Sequence, residues 1–164
     1  MLNIRPAAPG DGALIHELVA ALADYERLAH QLEATPAHFE AALFGPSPRV
    51  FCDIAEWQAD GRREAAGLAL WFYSFSTFRG CHGIYLEDLF VRPEQRGRGI
   101  GRGLLAGLAR RCVAESLGRL EWSVLDWNEP AIGFYRALGA QPMDEWTVYR
   151  LTGEPLARLG SAPQ

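Results

Sequence analysis

Lysine is missing from this chain. All 16 basic residues among its 164 are Arg. A Schiff-base enzyme needs a Lys amine, so pyridoxal enzymes and lysine aldolases are excluded. A P-loop needs Gly-Lys and a protein kinase needs an ATP-pairing Lys, so both chemistries are disfavoured. A GC-rich genome accounts for the bias itself. Cysteine is scarce as well. Cys52, Cys81 and Cys112 are odd in number, far apart and without a CxxC pair, which is the usage of reduced thiols in a cytoplasmic protein. The four His residues (His16, His30, His38, His82) show no metal-ligand spacing, so no metal is expected. No apolar run reaches the ~18 residues of a membrane span, and the first residues lack the apolar stretch of a signal peptide. The net charge of −4 removes the basic footprint of a nucleic-acid binder.

The composition that remains is that of a folded domain. Hydrophobic residues are 49% and charged residues 22% of the chain, and its length suits one domain without disulfide or metal staples. We expect that domain over 1–152, with a Gly-, Pro- and Ala-rich tail over 153–164 that frays.

Local patterns predict the order β-α-α-β-β-β-α-β-α-β. Leu2 to Arg5 reads as a strand, and Leu14, Ile15, Leu18, Val19 and Leu22 follow at helical spacing. Thr35-Pro36 starts a second helix that reaches Phe44. Val50 to Trp57, a turn at Asp60-Gly61 and Ala65 to Phe75 make an antiparallel hairpin, and Ile84 to Val91 is a further strand. A helix follows from Gly99 to about Leu117, then a strand over Leu120 to Leu125. Asn128 caps a helix that ends at Gly139, and Thr147 to Leu151 is the last strand.

Three segments carry chemistry. In the first, Gly97, Gly99, Gly101 and Gly103 lie between the strand ending at Val91 and an amphipathic helix, with Arg96, Arg98 and Arg102 among them. Glycines let backbone N–H groups close on a bulky anion, and the helix start adds its positive dipole, which suits a pyrophosphate. A dinucleotide GxGxxG would need Gly at 102 or 104, where Arg102 and Leu104 stand. A turn that merely allows tight strand–helix packing is the competing reading. In the second, Glu87-Asp88 interrupts an apolar strand. Neighbouring strand residues face opposite ways, so at least one carboxylate faces the interior or a cleft, where desolvation makes a general base. A structural pairing with an Arg is the alternative. In the third, Asn128 and Tyr135 share one helix face, as a cap and a core aromatic would also do.

Taken in this order, the three segments resemble the GCN5-related N-acetyltransferase (GNAT) superfamily, whose Q/R-x-x-G-x-G/A signature is met by Arg96-Gly97-Arg98-Gly99-Ile100-Gly101. YLEDLFV, RGRGIG, WNEPAIGFY and the early Leu22-Ala-Asp-Tyr25-Glu26 are similar to the diamine (spermidine/spermine) acetyltransferase branch, which includes thialysine and ornithine acetyltransferases. The resemblance covers roughly residues 3–151. It implies an α/β (mixed α+β) fold in which a mostly antiparallel sheet splays, with helices on both faces and acetyl-CoA in the gap. It further implies that Leu89, Phe90 and Val91 meet the pantetheine arm and that Gly97 to Arg102 hold the pyrophosphate, with Arg96 beside them and Asn128 next to the cofactor. Tyr135 is the implied proton donor to the leaving thiolate. Glu87 is the implied base, acting through water, and Tyr25, Glu26, Glu87 and Asp88 line the amine site. Glu87 and Asp88 both remain candidates for the base.

This chain departs from the diamine branch at Ser76-Thr77-Phe78, where that branch has an acidic Asp-Pro-Trp segment. A carboxylate for a distal ammonium is lost, which favours a short amine or a diamino acid over spermine. The expected function is acetyl transfer from acetyl-CoA to a small cationic amine by direct attack, in a cytoplasmic homodimer without membrane or nucleic-acid partners. Acetylation of a peptide N-terminus or an aminoglycoside-like amine, or a non-catalytic acyl-CoA sensor, are the alternatives.

Overall fold

Alternation of small and large apolar residues along three consecutive extended segments builds the centre of the structure, a computed structural model that describes residues 1–161. The chain divides into two compact units, one from Met1 to Leu125 and one from Asp126 onward. The first holds a five-stranded sheet in the order β1 (Leu2–Pro6), β2 (Phe51–Ala59), β3 (Arg62–Ser76), β4 (Cys81–Val91) and β5 (Leu120–Trp122). The first four strands pair antiparallel, and β5 joins β4 in parallel. Asp60 and Gly61 both have positive φ, 50° and 74°, which is the geometry of the tight β2–β3 turn.

β3 faces two ways. Leu68 and Leu70 point to helices α1 (Gly12–Tyr25) and α2 (Pro36–Phe44), where Ile15, Leu18, Leu22 and Leu43 join Cys52, Ile54 and Phe90 in one buried cluster. Ile15, Leu18 and Leu22 recur at helical spacing, and burial of each such side chain contributes about 1.5–3 kcal/mol. The other face carries α3 (Ile100–Ala114), which buries Leu104, Leu105 and Leu108. There the Arg111 guanidinium lies 5.0 Å from the centre of the Trp71 ring. The mixed α/β architecture with a mostly antiparallel sheet is therefore as expected.

Three elements differ from the sequence reading. β5 stops at Trp122 rather than Leu125. Residues 147–151 form no strand, because strand-like composition alone does not make a ladder and no described strand pairs with them. The expected fraying tail instead contains helix α5 (Gly153–Gly160), with an i,i+4 ion pair between Arg158 and Glu154 at 3.4 Å. In the same second unit lies α4 (Glu129–Ala137), capped by Asn128, whose Oδ1 accepts from the Ala131 amide at 3.4 Å.

Candidate active site

A single extra residue in β4 shapes the site. Asp88 pairs with Leu70 and Leu86 with Trp71, so Glu87 has no counterpart on β3 and forms a β-bulge. β5 pairs with β4 only at Ile84, Tyr85 and Leu86. From the bulge to Val91, no described strand pairs with the outer edge of β4. That stretch of backbone suits a ligand that pairs like a strand.

The bulge brings the acidic residues together. Glu87 is exposed, and Asp88 is half-buried. Burial pushes the Asp88 carboxyl up to about 6, with the negative charges of Glu87 and then Glu26 adding to the effect. Burial also raises Glu26, at the end of α1. Of the two neighbouring carboxylates, Asp88 is the desolvated one, and it has no ion pair among the described residues.

The glycine turn follows from the end of β4 through Pro93–Gln95, a single 3-10 turn. Gly97 and Gly99 have φ of 74° and 76°, where an L side chain is strained, yet a Cβ at either would meet nothing within 4 Å. Tight packing is thus not why these two are glycine. The packing glycine is Gly103, where a Cβ would come 2.9 Å from Leu2 Cδ2 and 3.2 Å from Ile4 Cδ1. Gly99 occupies the N-cap of α3 without a side-chain cap, which leaves first-turn amides for an anion. The side chain of Ile100 belongs to the core, so only its amide faces this duty. Phe90 is likewise buried and offers backbone alone. Gln95 is buried, and its Oε1 has no hydrogen-bond partner. An unpaired strand edge running into an uncapped, left-handed glycine turn fits a pantetheine arm with a pyrophosphate behind it.

Sequence patterns did not single out two aromatic contacts at this turn. The Arg96 guanidinium lies 4.5 Å from the centre of the Tyr25 ring, and its Nε donates to the Val91 carbonyl at 3.1 Å. The Arg98 guanidinium lies 5.1 Å from the centre of the Trp57 ring. No spacing rule links β2 or α1 to the turn; only the tertiary structure does. In the second unit, Asn128 and Tyr135 lie on α4, and the Tyr135 ring tilts against Phe134 at 5.4 Å.

Ser76 lies at the far end of β3 from the acidic residues. It pairs with Cys81 at the hairpin tip, whereas Asp88 pairs with Leu70, six residues back along β3. At ~3.3 Å per residue the separation is roughly 20 Å, too far for one short amine to bridge within the chain. The Ser76 hydroxyl instead accepts from the Arg79 amide at 3.3 Å, stabilising the turn.

This constellation is that of an acyltransferase, and residues 15–140 match the Acetyltransferase (GNAT) family, to which the chain belongs. It is an N-acetyltransferase, and its relatives narrow the class. A thialysine N-epsilon-acetyltransferase of Bos taurus is 37% identical over 163 residues, covering 95% of this chain and 95% of that protein. An L-ornithine N5-acetyltransferase of Arabidopsis thaliana is 34% identical over 198 residues, covering 96% and 87%. Among solved structures, an integron cassette protein from the mobile metagenome of V. cholerae shares the fold with a TM-score of 0.80 at 23% identity, covering 98% of both chains. The chain transfers acetyl groups to an amine.

Proposed function

We propose that the donor is acetyl-CoA and the acceptor a small cationic amine, a diamino acid or short diamine, acetylated by direct attack. The observation that carries this reading is the bulge at Glu87, which sets Glu87 and Asp88 beside an unpaired strand edge leading into the glycine turn, with Glu26 close enough for its charge to act on Asp88. Acetyl-CoA supplies the activated acyl group. Backbone groups of Leu89 to Val91 pair with the pantetheine arm, and the amides from Gly97 to Arg102 hold the pyrophosphate. Asn128 is assigned to the cofactor on the family resemblance alone.

An amine is protonated near neutrality and must lose a proton before it attacks. The Glu87–Asp88 pair accepts that proton, Glu87 through water. Asp88 is the member whose proton affinity burial has raised towards neutrality. Glu26, whose charge acts on Asp88, adds to the acidic wall that attracts the cation. The nitrogen lone pair forms the new C–N bond and the C–S bond breaks; Tyr135 gives its proton to the departing thiolate, and the extra proton still carried by the new amide nitrogen leaves through water, which returns the phenol to its protonated form. The named activities of the bovine and Arabidopsis relatives support a diamino acid.

The test is a panel of thialysine, ornithine, putrescine, spermidine and spermine, with release of free coenzyme A followed by a thiol reagent. We expect the diamino acids to give the highest kcat/KM. No thiol release with any amine, or release with spermine above all others, overturns the reading.

A further inference from the structure

The two guanidinium groups nearest the glycine turn make no ion pair among the described residues. Each lies instead against an aromatic ring: Arg96 by Tyr25 at 4.5 Å, and Arg98 by Trp57 at 5.1 Å. An aromatic face attracts a cation without neutralising it, so both charges stay available to an anion. The rings themselves are anchored. Tyr25 is half-buried at the end of α1, and Trp57 is half-buried in β2, in register with Leu2 and Glu64. A carboxylate in either place would hold the arginine equally well and cancel its charge. Arg96 is further fixed by its bond to the Val91 carbonyl, where the unpaired edge of β4 ends.

We propose that Tyr25 and Trp57 are positioning residues for the cofactor's pyrophosphate. They hold Arg96, just before the Gly97–Gly99 turn, and Arg98, within it, so that little side-chain freedom remains to be lost when the anion binds. The inference rests on the acetyl-CoA reading, and it moves Tyr25 from the amine site to the donor site. Neither ring belongs to the glycine signature.

The experiment measures the affinity of the full chain for coenzyme A by calorimetry, and for pantetheine, which lacks the pyrophosphate, by displacement. Tyr25→Leu and Trp57→Leu should each weaken coenzyme A about three- to thirtyfold, the range of one cation–π contact, and leave pantetheine unchanged. Tyr25→Phe, which keeps the ring, should restore coenzyme A affinity. In an Arg96→Gln background, Tyr25→Leu should have no further effect. Equal losses for both ligands overturn the proposal, as does an unchanged coenzyme A affinity in both Leu variants. So does a rise confined to the amine KM of Tyr25→Leu, which would return Tyr25 to the amine site. Should a Leu variant fail to fold, Arg96→Gln and Arg98→Gln, at exposed positions, decide: they must weaken coenzyme A and spare pantetheine. If the unmodified protein binds no coenzyme A, the acetyl-CoA reading itself has failed.

Discussion

Asp88 shows how one residue can serve chemistry at the expense of stability. Its carboxyl is raised from 3.8 to about 6, first by burial and then by Glu87 and Glu26. A raised folded-state value means the folded chain holds the proton more tightly than the unfolded chain does. The stabilising contribution is therefore complete below about pH 4 and is lost as pH rises through about 6. Asp88→Asn should melt higher than the parent at pH 8, by up to about 3 kcal/mol, and show no such gain at pH 4. Thermal melts at the two pH values check this; an equal difference at both would place the Asp88 carboxylate in solvent. The same variant should lose acetyl transfer. Tyr135 makes the complementary case. Tyr135→Phe should retain coenzyme A binding and lower kcat by roughly 10²–10⁴-fold, the usual worth of a positioned acid. Single-turnover kinetics check it, and an unchanged chemical step would remove the proton-donor role.

Elements place these residues, and their ends matter more than their middles. The start of α3 tolerates little change at Gly99, whose φ is 76°. A β-branched side chain is strained there, at roughly 1–2 kcal/mol, and its bulk would stand where the anion's oxygens approach. Gly99→Val should fold with a lowered Tm and lose most of the stabilisation that coenzyme A confers, which a thermal shift assay measures. The start of α2 offers a control remote from the chemistry. The Thr35 hydroxyl accepts from the His38 amide at 3.3 Å, and His38 Nδ1 accepts from the Thr35 amide at 3.2 Å, a reciprocal cap. Thr35→Ala should cost about 1 kcal/mol in denaturant unfolding and leave coenzyme A affinity alone. Both helix starts were legible in sequence, through Thr-Pro and through the glycine cluster. The bulge in β4 was not. Glu87 was conspicuous as a charge in an apolar strand, but only pairing with β3 reveals that it has no opposite number.

For the whole molecule, ligand linkage and charge act together. Coenzyme A at ~100 times its Kd should stabilise the fold by about 2.7 kcal/mol, and a chelator should not change that shift. At the acid end, Arg5 bonds both Asp11 and Glu56, at 2.6 Å and 2.9 Å, and its hydrogen bonds hold both carboxyls below their ordinary range. Lowered folded-state values contribute stability above about pH 4 that is lost as pH falls. Arg5→Met should therefore narrow the stability difference between pH 7 and pH 3, and an unchanged difference in the variant would rule out this network as its source.

Residue type and spacing by themselves determined much of this protein. The Gly97–Gly103 run, Glu87-Asp88 and the Asn128–Tyr135 helix were enough to reach the family, because each is a local pattern that the backbone must obey wherever it lies. They also located β1 to β4 and α1 to α4 to within a few residues. Proximity between distant segments was another matter. Only the tertiary structure showed that Asp88 rather than Glu87 is the desolvated carboxylate, that Ser76 belongs to the β3–β4 turn, and that Tyr25 and Trp57 lie against the turn's arginines. It also withheld the strand expected at Thr147 to Leu151 and formed α5 beyond it. A strand depends on a partner edge, and a pKa on the water that packing excludes; both are set by neighbours that the order of residues does not name.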